Sequence, residues 1–179
     1  MFRTLVGSAA LVLAAISGAA SAQEGAKFDC PFAASAPAFR ASLGEAMVGQ
    51  GDPAVRSALV EQLRKTVDGC VASLGVAEAQ KADYFDYSLA RISREWLIGA
   101  IARANLKTEI VDKALDFGPG RANPDLSGDM TEDQIVLIVQ GYVNAGVDIE
   151  KVDQSVWEKV GAYAAATSIY WNKRQRLPF

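Results

Sequence analysis

The stretch 81-KADYFDYSLARISREWLIGA-100 decides the fold class. Apolar side chains fall at Ala82, Phe85, Leu89, Ile92, Trp96 and Ala100, at spacings of three and four residues. That period lines them along one face of an α-helix, with Asp83, Tyr84, Asp86, Tyr87, Arg91, Arg94 and Glu95 read as its polar surface. A half-buried strand would alternate every second residue, and this stretch does not. The spacing predicts a helix over about 78–104.

The same reading extends in both directions. Upstream, Asp52-Pro53 combines an N-cap residue with a proline at the first helical position, and Val60, Leu63, Val67, Cys70 and Leu74 form an apolar stripe that stops at Gly75. Before it, Ser35 and Pro37 open a short helix carrying Phe39, Leu43 and Met47, closed by Gly49-Gln50-Gly51. Downstream, Asn105 or Thr108 begins a shorter helix to Leu115. Thr131-x-x-Gln134 is a capping box, with Glu132 and Asp133 suiting the positive end of a helix dipole. The run 135–139 is apolar on every side and rich in β-branched residues; the caps at Thr131 and Gly146 favour a buried helix over a buried strand. A last helix over 153–173 carries Trp157, Val160, Ala164, Thr167 and Trp171 as one stripe and ends in Lys173, Arg174 and Arg176. The expected architecture is all-α, a single domain of five or six helices over 23–179, without repeats or linkers.

Residues 1–22 read as a cleaved secretory signal. Arg3 precedes an apolar run to Ile16, and Ala20-Ser21-Ala22 fits an A-x-A cleavage site before the polar Gln23-Glu24. The apolar core is shorter than the about 20 residues a bilayer span needs. No integral membrane segment is expected after cleavage, and the compartment is periplasmic or extracellular. Cleavage removes one base and no acid, which shifts the formal net charge from −3 to −4. A mildly acidic domain lacks the basic surface that phosphate neutralisation requires, so nucleic acid is not an expected partner. The two cysteines, Cys30 and Cys70, are an even pair in an oxidising compartment, and Cys70 lies on the core stripe of its helix; a disulfide follows.

The chain has no histidine. That removes Ser-His and Cys-His nucleophile activation, the commonest general base and the usual zinc and haem ligands. No G-x-S-x-G, S-x-x-K or glycine-rich phosphate loop is present. No cofactor or metal is expected.

Three places carry candidate chemistry. The segment 117–130 is long for a connection in a helical domain and is punctuated by Gly118-Pro119-Gly120, Asn123-Pro124 and Ser127-Gly128. Asn123, Asp125, Ser127, Gly128, Met130, Thr131 and Gln134 match positions of a calcium loop, but Asp125 alone among the side-chain ligand positions is charged, which predicts weak calcium binding or none. Arg121, Asp125, Asp129 and Thr131 are instead the expected partner-binding residues, with a solvated connector as the competing reading of the loop. On the 78–104 helix, Glu95 beside Trp96 is the best placed acid for a carboxylate-based hydrolase, whereas solvated helix charges account for the same residues. On the last helix, Tyr163 and Tyr170, with Phe179, read either as core or as an exposed partner patch, with core preferred. Together these features predict a non-enzymatic periplasmic or secreted protein of the chaperone, immunity or assembly type that acts by binding another protein. The alternative is a carboxylate-based hydrolase of cell-envelope polymer.

Overall fold

The protein is described from a computed structural model covering residues 16–49, 51–126 and 128–179, with side chains from Gly25 onward. Among these residues there are seven α-helices and no strand: α1 (Ile16–Ala34), α2 (Pro37–Ala46), α3 (Pro53–Leu74), α4 (Lys81–Ala102), α5 (Glu109–Ala114), α6 (Glu132–Asn144) and α7 (Gln154–Arg176). The six helices expected from periodicity are all present, and their ends follow local chemistry. Asp52 accepts from the Ala54 amide, with Pro53 at the first helical position of α3, and Gly75 closes that helix with a left-handed φ of 62°. Thr131 and Gln134 make both hydrogen bonds of the capping box that opens α6.

α4 and α7 pack along each other and form the axis of the domain; α1, α2 and α3 gather around one end, α5 and α6 around the other. One core cluster is built on Phe28, Leu43, Leu63, Val67, Cys70, Tyr84 and Tyr87. The second contains Leu97, Ile101, Val111, Phe117, Leu126, Ile138, Tyr142 and Tyr163. α2 comes so close to α4 that a β-carbon at Gly44 would stand 2.3 Å from Trp96 Cβ. That atom is fixed to the α4 backbone, so the helices would have to part. Gly44→Ala should therefore cost about 1–3 kcal/mol despite alanine's better helix propensity. Gly69→Ala in α3, where nothing lies within 4 Å of the added carbon, should be neutral or stabilise by up to about 1 kcal/mol. Urea midpoints of the two variants measure the contrast.

α1 is the helix that periodicity did not announce. Residues 1–15 of the expected signal lie outside the described residues; α1 begins at Ile16 and runs through the Ala20-Ser21-Ala22 cleavage pattern. Pro31 sits inside it. A proline has no N–H for the carbonyl four residues earlier, which is that of Lys27. The Tyr84 hydroxyl on α4 donates to that carbonyl. Arg91 on α4 donates to the next one, Phe28 O, at 2.8 Å, and pairs with Asp29 at 2.7 Å. The helix that proline weakens is thus completed by its neighbour. The Cys30 and Cys70 sulfurs are bonded, joining α1 to α3 with Cα atoms 6.0 Å apart.

Candidate functional site

Apart from Glu95, the charged residues of α4 reach partners on other helices. Arg94 Nη2 donates to Tyr163 Oη at 2.9 Å and Nε donates to Thr167 Oγ1 at 3.2 Å, both on α7. Nη2 also lies 3.5 Å from Asp112 Oδ2 on α5. The Tyr163 hydroxyl in turn donates to Asp112, 2.8 Å from Oδ1. Burial pushes the Asp112 carboxyl up from its ordinary value, against the Tyr163 hydrogen bond and the Arg94 charge. Burial also pushes the Tyr163 phenol up to about 12. Asp83 and Asp86, one turn apart, both reach Lys173 on α7, at 2.6 and 2.8 Å. These residues brace three helices against one another, and periodicity read them as surface because it does not reveal which flank of a helix a second helix will cover.

Glu95, the expected acid of the hydrolase reading, is exposed. It borders a shallow hollow of about 190 Å³ whose other walls are Phe32, Arg40, Ala41, Ile92 and Trp96, so that no second carboxylate faces it there. Tyr163 is fully buried. Tyr170 is half-buried and stacks on Tyr87, and Phe179 packs against Phe28 and Tyr84. The core reading of these rings holds.

The long loop is tied down along its first half. Asn123 is buried and adopts a left-handed φ of 46°. Its side-chain oxygen accepts from the Gly118 amide, and its amide nitrogen donates to the Gly118 and Arg121 carbonyls. The first position of the calcium-like pattern is therefore turned toward the loop's own backbone; its fifth, Ser127, lies outside the described residues. Leu126 is buried in the core, and its amide donates to Ser168 Oγ on α7, which donates to the Pro124 carbonyl. Arg121 is exposed and pairs with Asp116 at 3.0 Å. The carboxylate of Asp116 is held below its ordinary pKa, first by the Ala122 amide and then by Arg121. Asp125, Asp129 and Thr131 are exposed. Asp129 and Thr131 flank Met130 in the chain, while Arg121 is engaged by Asp116 at the far end of the loop.

Met130 leads to the feature that the sequence reading placed wrongly. The run 135–139 was expected in a buried helix. α6 instead buries only Ile138 and Tyr142, while Ile135, Val136, Leu137 and Val143 are 47, 56, 53 and 43 % exposed. The helix packs chiefly on α5, where a β-carbon at Gly141 would meet Ile110 Cγ2 at 2.8 Å, and on the 3-10 turn Ile149–Lys151. It meets α7 through side chains, with the Tyr142 ring edge-on to Trp157 at 5.5 Å between centroids. Between the two opens a groove of about 430 Å³ walled by Met130, Ile135, Ile138, Val139, Ile149, Trp157, Val160 and Gly161, with Gln154 and Glu158 at its polar edge. Ile135, Val139 and Val143 recur every four residues, so the groove wall continues onto the outer surface, where Val136 adjoins it. The all-round apolar run was the available signal. A helix apolar on every side is either enclosed by its own fold or covered by something else, and residues 132–144 alone do not distinguish these.

No protein-family model, curated protein or solved structure matches the chain. No helix among the described residues is long and apolar enough to cross a membrane.

Proposed function

We propose that this chain is a non-enzymatic extracytoplasmic binding protein, of the chaperone, immunity or assembly type, and that α6 and the adjoining groove are where it contacts another protein. The observation that carries this reading is the exposed aliphatic face of α6. Full burial of a Val, Ile or Leu side chain stabilises by about 1.5–3 kcal/mol, so four of them left about half exposed forgo on the order of 1 kcal/mol each. Apolar surface gathered on one helix rather than scattered marks a surface that is covered in use. The rest of the molecule agrees with a scaffold for contact: its charged side chains on α4 are consumed in bracing, and Glu95 stands alone on the surface. The signal-like residues 1–22 and the Cys30–Cys70 bridge support a periplasmic or secreted location.

Site-specific photo-crosslinking in intact cells tests the assignment. A photoreactive residue at Val136 should yield one discrete protein adduct, and one at Lys65, exposed on α3, should not. The Val136 adduct should be lost when Val143→Glu is also present, while circular dichroism stays unchanged. Equal labelling from both positions, or none from Val136, would remove the docking surface from α6.

A further inference from the structure

Among the described residues, the one charged side chain lining the α6 groove is an acid, Glu158, and the segments that supply its walls are rich in acids; Lys159 beside it donates to the Ser155 carbonyl. Residues 129–158 contain seven acidic residues and one basic one, Lys151, which Asp148 already neutralises at 2.7 Å. Glu132, Asp133, Glu150, Asp153 and Glu158 are all exposed, and none makes an ion pair among the described residues. Several acids elsewhere are paired, Asp29 with Arg91, Asp116 with Arg121, Asp83 and Asp86 with Lys173, while Glu45, Glu95 and Glu109 stand singly among the described residues. Glu158 lines the groove, Glu150 and Asp153 adjoin its lining residues Ile149 and Gln154 in the chain, and Glu132 and Asp133 open the helix that carries Ile135, in a chain whose whole net charge is only −3.

We infer that the occupant of the groove is a cationic amphipathic helix of another protein, with its apolar anchors between α6 and α7 and its Lys or Arg side chains over this acidic rim. The inference rests on the docking surface proposed above and names its partner. Charge complementarity supplies the sign: a rim of like charges steers cations in and turns anions away. The same rim opposes a second copy of this chain docked face to face, since a two-fold contact sets each patch against itself and brings acid to acid. Secondary structure follows from the walls. The backbone groups of α6 and α7 are satisfied within their helices, and no strand edge exists among the described residues to receive an extended peptide. An extended segment would lay unpaired N–H and C=O groups against Ile135, Ile138 and Trp157, whereas a helix brings its own satisfied. Length agrees too: the 13 residues of α6 span about 20 Å, which offers about three turns of a partner helix room for anchors at i, i+3, i+4 and i+7.

Designed peptides supply the probe. One carries Leu at i, i+3, i+4 and i+7 with Lys elsewhere; a second keeps the leucines and replaces every Lys by Glu; a third scrambles the first. Fluorescence anisotropy against the intact protein should show the Lys/Leu helix binding at least about tenfold more tightly than either other peptide. Its affinity should fall as salt rises from about 0.05 to 0.5 M. Glu158→Lys together with Glu132→Lys should weaken it at least about tenfold, whereas Glu61→Lys on α3 should leave it unchanged. Equal affinity for the Lys/Leu and Glu/Leu peptides, indifference to the rim reversals, or no binding by any peptide overturns the inference. So does a dimer in sedimentation equilibrium that Val136→Glu dissolves, because the occupant is then a second copy. If Val136 still cross-links a discrete partner while the Lys/Leu peptide fails, the docking surface stands and the cationic helix falls; if neither is seen, both fall.

Discussion

Arg94→Ala is expected to destabilise the domain by about 3 kcal/mol at neutral pH, an effect out of proportion to the loss of one charged side chain from a helix predicted to wear its charges on the outside. Exposed ion pairs contribute about 0–1 kcal/mol. Here the side chains of Arg94 and Asp112 are only 18 and 26 % exposed. Removing the guanidinium strips Tyr163 and Thr167 of their donor and leaves Asp112 half-buried without its cation. Breaking one member of a buried pair costs about 3–5 kcal/mol, and the residual exposure argues for the lower end. The deficit should depend on pH in a defined sense. Asp112 already has a raised pKa in the folded state, chiefly from burial, with Arg94 opposing the rise. A carboxyl raised on folding contributes stability below its unfolded value, and that contribution is lost as pH rises through the folded one. Without Arg94 the folded value climbs further, so the deficit should shrink as pH falls from 7 toward about 4. Asp112→Asn keeps an acceptor for Tyr163 but leaves Arg94 without its anion; because Arg94 retains its bonds to Tyr163 and Thr167, it should cost less than Arg94→Ala, about 1–2 kcal/mol at neutral pH. Urea unfolding of both variants at the two pH values measures all three expectations. An Arg94→Ala deficit below about 1 kcal/mol, or one that grows on acidification, would mean that the cluster does not brace the fold.

What was legible in the sequence and what was not divide along a physical line. Helix existence, the Asp52 and Thr131 caps, the Gly75 stop and the pairing of Cys30 with Cys70 are local or compositional, and all are present in the fold. α1 escaped because Pro31 interrupts its hydrogen-bond ladder, and the compensation comes from Tyr84, 57 residues away. The roles of Arg91, Arg94, Asp83 and Asp86 escaped for the same reason: their partners lie on other helices, and a charge on the flank of a stripe looks the same whether water or α7 faces it. The loop 117–130 stands out in the sequence as a docking site or a solvated connector, and the sequence does not show that its first half is tied to the core through Asn123, Leu126 and Ser168. Of the partner-binding residues expected there, Asp129 and Thr131 flank Met130. The surface proposed to receive a partner is the helix that follows, whose pattern is too apolar to show a face at all.

The second large effect concerns the bridge between α1 and α3, and its origin can be separated from the contacts around it. Replacing both cysteines, Cys30→Ala with Cys70→Ala, should lower stability by about 2–5 kcal/mol, the usual range for a native disulfide. The bridge closes a loop of sequence separation 40, long enough for chain entropy in the unfolded state to supply most of that figure. Native contacts should carry little of it, because α1 keeps other ties to α4: the Tyr84 hydroxyl on the Lys27 carbonyl, Arg91 on Phe28 and Asp29, and Phe28 against Tyr87. Two consequences separate the explanations. First, the parent protein under reductant should unfold at nearly the same urea concentration as the double variant, since losing the bond matters more than losing the sulfur atoms. Second, near-ultraviolet circular dichroism and hydrogen exchange across α1 in the variant should stay native-like below the transition. If α1 instead exchanges freely while the remainder is protected, the bridge is what holds that helix on the domain, and the contacts from Tyr84 and Arg91 are too weak to dock it alone. Either way the bridge should be closed in the purified protein: mass spectrometry without reductant should find no alkylatable thiol, and two such thiols would remove the oxidising compartment on which the proposed extracytoplasmic location depends.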